Sequence, residues 1–197
     1  HVHIQPIQLE KIVYSIFKVL RSNYPENVSL HFECEASPVV EADANQIRQV
    51  LVNLCNNAND AIGKASGEIL LKLKTVLLDP PQAEALNVAP GSFAVLEVHD
   101  DGEVIAPELL SRLFEPFFTT KEVGEGTGLG LSSARGIAEH HNGTMDVEST
   151  LGKGTTFRFY IPQSHKPIEP IVPVIPQTVP MKCKTVLLAD DDMMLRN

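Results

Sequence analysis

The stretch Phe114-Glu-Pro-Phe-Phe-Thr-Thr-Lys121, followed by Gly124-Glu-Gly-Thr-Gly-Leu-Gly-Leu131, carries the residue types best suited to chemistry. Glycines alternate with other residues at 124, 126, 128 and 130, and a helical pattern starts directly after them. Glycine lets backbone N–H groups approach a ligand closely. A helix start adds unpaired N–H donors and partial positive charge. With Lys121 as a point charge, such a loop makes a cradle for phosphate groups. A dinucleotide-binding fingerprint would require a strand immediately before the glycines; Phe117–Gly124 is not a strand end. A flexible linker fits poorly with the phenylalanines.

A second group lies upstream. Asn53 and Asn57 stand one helical turn apart, as do Asn56 and Asp60. The stripe Leu51, Leu54, Ala58 claims one face, so the amides and Asp60 crowd the other. Neutral amide oxygens can complete the shell of a hydrated Mg²⁺, which takes few protein ligands. The competing reading is a solvated amphipathic face, although asparagine's poor helix propensity makes that face costly. Third comes Val98-His99-Asp100-Asp101-Gly102. A carboxylate at a strand end can accept from the exocyclic amine of adenine and reject a carbonyl in its place. The competing reading is an ordinary Asp-Asp-Gly turn.

The elements that must position these groups follow from periodicity. Residues 6–24 read as a helix starting near Pro6, with Leu9, Ile12, Val13, Ile16, Phe17 and Leu20 on one side. Asn27–Cys34 alternates as a strand. A helix over 44–63 starts at an Asp43 cap and stops at Gly63. Strands span 67–78 and 92–99, joined by a loop over 79–91 that holds three prolines. A short helix starts at Pro107, residues 114–130 are loop, and a helix over 131–141 ends at Asn142-Gly143. Two strands, 144–149 and 155–161, meet at a Leu-Gly-Lys-Gly turn. Prolines at 162, 167, 170, 173, 176 and 180 mark a stiff linker. The division expected is a domain over 1–162, a linker over 163–182, and the start of another unit over 183–197.

Composition sets bounds. The chain has 197 residues, 43% hydrophobic and 21% charged, as in an ordinary globular protein. Its net charge of −9 disfavours nucleic acid as a partner. Cys34, Cys55 and Cys183 lack metal-ligand spacing, which fits reduced thiols and a cytoplasmic location. No apolar run reaches the roughly 18 residues of a membrane span, so no direct membrane contact is expected.

The order of these motifs resembles the catalytic and ATP-binding domain of sensor histidine kinases, in the superfamily shared with gyrase, heat-shock chaperones and mismatch-repair proteins. The resemblance covers residues 6 to about 162. Asp43–Ile62, with "QVLVNLCNNANDAI", matches the asparagine box; Asp100-Asp-Gly the first glycine box; "FEPFFTTK" the phenylalanine box; "GTGLGL" the second glycine box; and "HNGTMDVES…GKGTTFRFYIP" the closing strands. It implies an α/β (α+β) two-layer sandwich of the Bergerat type: a mixed, mostly antiparallel sheet with three helices on one face. It implies ATP and Mg²⁺ as cofactors, with Asn57 on the metal and catalytic together with Lys121, and Asn53 and Asp60 in support. Asp100 would read the adenine amine with help from Thr155. Gly102 would let the backbone pass close to the base. Residues 114–130 would form a lid, in which Lys121, Gly126, Thr127, Gly128, Leu129, Gly130 and Leu131 surround the phosphates.

Two departures bear on function. Val104 stands where the family's first glycine box has a second glycine, and a β-branched residue disfavours positive φ. The alternative it raises is a degenerate, weakly nucleotide-binding module that acts through protein contacts. Asn53 stands where hydrolysing relatives carry a water-activating glutamate, so phosphoryl transfer to a protein is favoured over hydrolysis. The partners implied are a histidine-bearing dimerisation domain and a receiver domain, in the same full-length chain or in trans. "KTVLLADDD" resembles the first strand of a receiver, so the chain reads as an excised portion of a hybrid kinase, unable to phosphorylate itself and possessing a full-length form that is either free or membrane-anchored.

Overall fold

A computed structural model of the chain describes residues 2–120, 127–164 and 166. In chain order the elements are β1 (Gln5–Gln8), α1 (Leu9–Asn23), β2 (Val28–Cys34), β3 (Val39–Ala42), α2 (Ala44–Ile62), β4 (Gly67–Leu78), α3 (Pro80–Ala85), β5 (Gly91–Asp100), α4 (Pro107–Leu110), α5 (Gly130–His140), β6 (Thr144–Thr150) and β7 (Gly154–Pro162). The main sheet runs β2-β4-β5-β7-β6. Only β2 and β4 pair in parallel; the other pairs are antiparallel. The connection between β2 and β4 contains α2, as a parallel crossover demands.

Strand register turns alternation into layers. Phe32, Leu71, Val98, Phe157 and Val147 lie side by side in one row across the sheet, and Cys34, Leu73, Leu96, Phe159 and Met145 in the next. These rows face α1, α2 and α5, whose stripes complete the main core. On α2 that stripe is Ile47, Val50, Leu51, Leu54, Ala58 and Ile62, all buried. Each large one contributes about 1.5–3 kcal/mol on burial. The cap at Asp43, whose carboxylate accepts from the N–H groups of Asn45 and Gln46, adds about 1 kcal/mol. The stripe therefore holds the helix and the cap sets where it begins. Gly63 ends it at φ 60°.

The opposite face of the sheet is polar. Arg158 reaches Glu97 at 3.1 Å, Asp146 at 3.4 Å and Glu148 at 2.7 Å, and Lys74 reaches Glu97 at 2.8 Å. One end of this face is covered by α3, with Ala83 packed among Leu78, Phe93, Val95 and Tyr160.

Three expectations are corrected. Residues 5–8 are a strand paired antiparallel with β3, and the first helix starts at Leu9 rather than near Pro6. Ile7 and Leu9 are both buried, a spacing that suits a strand as well as a helix. Pro6, which has no N–H to donate, is tolerated because β1 has a partner on one side only. The short strand β3 went unread. The loop over 79–91 contains α3, started by a capping box between Asp79 and Gln82 with proline at its first turn. Of the linker expected over 163–182, Gln163 bridges to Val40 and the Ser164 N–H donates to the Val39 carbonyl, while residues 167–197, including the start of the expected further unit, lie outside the described residues.

Candidate active site

Register also decides what happens at the end of the apolar rows. The next row across the sheet is Leu30, Ile69, Asp100, Thr155 and Ser149. Three polar side chains thus take the places that hydrocarbon fills further along. Asp100 is 1% exposed and Thr155 2%. They adjoin a cavity of about 700 Å³ between the sheet end, α2 and the loops after β5 and before α5. Asn53, Asn57, Asp60, Asp100, Thr127, Gly128, Gly130, Leu131 and Thr155 line this one space, although they come from four separate stretches of chain. Val104, Ile105, Ala106, Leu109, Leu113 and Phe157 supply its apolar wall.

Burial pushes the Asp100 carboxyl up to about 6, and the neighbouring Asp101 adds to that, while the Gly102 N–H, donating to Oδ1 at 3.1 Å, works against it. Asp101 turns the other way and accepts from the Glu68 N–H at 2.7 Å, so it locks β4 to the end of β5. Ser149 Oγ accepts from the Ile105 N–H and meets Thr155 Oγ1, both at 2.9 Å.

On α2, the Asn53 amide donates to the carbonyl of Gly130 at 3.2 Å and so ties this helix to the first residue of α5. That carbonyl contact suits a positioning group, not a base. Asn57 lines the cavity one turn further on. Neutral oxygen donors with a carboxylate nearby suit a hard divalent cation. Asn57, with Asn53 and Asp60 beside it, could therefore hold Mg²⁺.

The glycines prove to have different reasons. Gly102 does not line the cavity; a Cβ there would stand 2.6 Å from the Ala61 carbonyl carbon and 2.7 Å from the Ile62 nitrogen. The close approach it permits is to the end of α2, sealed by the Glu103 N–H donating to the Ala61 carbonyl at 2.9 Å. Gly128, at φ 63°, leaves room for the backbone of Phe117, whose N–H donates to the Gly128 carbonyl at 3.0 Å. Phe117 is itself left-handed at φ 67° and 75% exposed. Leu129 precedes α5 as its N-cap residue and lies outside the lining. Lys121 and Gly126 lie outside the described residues. Val104 lines the cavity and is not among the non-glycine residues with positive φ, so the strain expected of it does not arise.

Sequence reading passed over Glu103, Ile105, Leu109 and Leu113 as wall residues, and Ser149 altogether. Nothing local marks them; Ser149 meets Thr155 only through strand register. Other polar groups are spent elsewhere. Arg135 is exposed and pairs with Glu139 at 3.0 Å. The buried His141 donates from Nδ1 to the Ile137 carbonyl and accepts the Asp43 N–H at Nε2.

Comparison with known proteins gives a consistent picture. The family described as histidine kinase-, DNA gyrase B- and HSP90-like ATPases matches residues 42–165. The sensor kinase CckA of Brucella abortus is 42% identical over 125 residues, which are 63% of this chain and 13% of that protein. The sensor histidine kinase ZraS of Escherichia coli is 33% identical over 164 residues, 82% of this chain and 32% of that protein. This chain thus spans a third or less of these relatives. The solved catalytic domain of histidine kinase ThkA superposes with a TM-score of 0.67 at 30% identity, over 82% of this chain and 96% of that one.

Proposed function

This chain belongs to the family of histidine kinase-, DNA gyrase B- and HSP90-like ATPases and carries an ATP-binding catalytic domain of the sensor histidine kinase type, and from that premise we propose how its own residues carry ATP to phosphoryl transfer. Asp100 accepts from the adenine amine, with the Thr155 hydroxyl beside it, and Ile105, Leu109, Leu113 and Phe157 exclude water from the ring faces. The triphosphate runs toward Thr127, Gly128 and the start of α5, where the first-turn N–H groups of a helix have no intrahelical partner. Lys121 and the backbone at Gly126 are assigned to the same task. Asn57 would hold Mg²⁺, supported by Asn53 and Asp60, and the bound ion would neutralise phosphate charge.

The reaction is transfer of the γ-phosphoryl group to an imidazole nitrogen on a histidine-bearing dimerisation domain. A P–N bond forms, the γ-phosphate to β-phosphate P–O bond breaks, and ADP leaves. The protein's part is positioning and charge neutralisation. A receiver domain is the onward acceptor. Asn53, held by Gly130, offers no water-activating base, which favours a protein acceptor over water.

The observation that carries this reading is that Asn57 and Asp100, 43 residues apart in sequence by their numbers, open into one cavity. Calorimetric titration of the chain with Mg²⁺ and a non-hydrolysable ATP analogue should give saturable heat, lost in Asn57→Ala and weakened in Asp100→Asn. Absence of heat up to millimolar analogue overturns it. With γ-labelled ATP and the dimerisation domain of a relative added in trans, label should appear on the added domain. Stable label on the chain alone refutes the assignment of the acceptor.

A further inference from the structure

The row Asp100–Thr155–Ser149 contains more than a carboxylate and its helper. We propose that Ser149, which does not line the cavity, is a positioning residue that fixes the direction in which the Thr155 hydroxyl donates, and thereby the kind of purine edge the cavity selects. The inference rests on the base-reading role given above to Asp100.

Ser149 Oγ has one proton and two lone pairs. The Ile105 N–H, 2.9 Å away, can only donate, so one lone pair is taken. The contact with Thr155 Oγ1, also 2.9 Å, can run either way. If Thr155 donated, the proton of the half-buried Ser149 would have to turn away from the row toward solvent, and Thr155 would present only lone pairs to the cavity. If Ser149 donates, both its bonds are satisfied and the Thr155 proton is left for the cavity that Thr155 lines. Accepting a hydrogen bond also makes a hydroxyl the better donor, so the Ile105 N–H biases the chain in this second direction.

The run Ile105 N–H to Ser149 to Thr155 therefore ends in a donor, set in register beside the Asp100 acceptor. An acceptor next to a donor, directly or through a bridging water, complements the adenine edge, which offers an amine N–H and an unprotonated ring nitrogen. A 6-oxopurine offers the reverse pair, a carbonyl and a ring N–H, and leaves both protein groups mismatched. Ser149 contributes to specificity without touching the nucleotide.

The test compares binding of ATP and of inosine triphosphate, each with Mg²⁺, to the chain and to Ser149→Ala and Ser149→Thr. Loss of Ser149 frees Thr155 to turn either way. ATP affinity should fall about three- to tenfold while inosine triphosphate affinity holds or rises, so that discrimination collapses; Ser149→Thr, which keeps the hydroxyl, should restore it. An equal fall for both nucleotides, or unchanged discrimination, overturns the proposal. Asp100→Asn serves as the separate control: if wild-type binding does not depend on Asp100, the base-reading assignment itself has failed. If it does depend on Asp100 while Ser149→Ala still discriminates, only the role of Ser149 has failed.

Discussion

Asp100 and Asp43 show how one residue type takes opposite parts. Asp43 caps α2, and its carboxyl is held below the usual range by the backbone N–H of His3, at 2.7 Å, and then by that of Asn45. Asp100 is buried with one N–H donor, and its carboxyl is pushed up to about 6. The signs follow by linkage. Asp43, with a lowered folded value, stabilises the fold above the unfolded carboxylate value and loses that contribution as pH falls through its folded value. Asp100, with a raised one, favours the fold fully only below the unfolded value of about 4, and that contribution is lost as pH rises through about 6. Function pulls Asp100 the other way, since the ionised form is the stronger acceptor for an amine. Adenine nucleotide affinity should drop about tenfold between pH 7.5 and pH 5, and the slope should vanish in Asp100→Asn. Calorimetry across that range checks both, and an unchanged affinity at pH 5 would contradict the role given to Asp100.

At the scale of elements, α2 is the hub. It lies between α1 and α5 over the middle of the sheet, its N-terminus is tied to His3 and His141, and its polar side faces the cavity. Asn53 links it to the start of α5 on the cavity side. The phenylalanine-rich and glycine-rich stretches are joined where the Phe117 N–H meets the Gly128 carbonyl. Because one carboxylate both caps α2 and accepts from His3, Asp43→Ala should destabilise the chain by about 1–2 kcal/mol, read by chemical denaturation at neutral pH. The deficit should shrink in acid, where the wild-type cap is itself lost. A deficit that persists there would mean that the side chain acts through packing.

In the whole molecule, the two faces of the sheet divide the work. The helix side carries the core and the site; the other side, apart from the cluster under α3, carries ion pairs centred on Arg158. Glu97, the partner of both Arg158 and Lys74, has a side chain only 13% exposed, so its charge is not freely solvated. Arg158→Met leaves it Lys74 as its close ion-pair partner among the described residues and should cost about 1–2 kcal/mol of stability with nucleotide affinity unchanged. A matching loss of affinity would show that the faces are coupled. Among the described residues no helix is long and apolar enough to cross a membrane.

Much of this was legible in the chain itself. The α2 stripe and its Asp43 cap, the alternating strands, and the motif order over 43–162 are local patterns, set by periods of 3.6 and 2 and by caps that act within one turn. Together with the family resemblance that the motif order carries, they sufficed for the helix-on-sheet layers and for choosing Asn57 and Asp100 as candidates. Other features waited for tertiary structure. Ile7 and Leu9 suited either period until β3 supplied a partner for β1. Gly102 was read as letting the backbone pass close to a base, whereas the atoms it makes room for belong to Ala61 and Ile62; Gly128 lines the cavity and makes room for Phe117 as well. Ser149 looked like any strand serine until register set it beside Thr155 and opposite the Ile105 amide. A sequence carries the preferences of each residue for its neighbours along the chain; which distant donor meets which acceptor is decided only when strands choose their register and close the cavity.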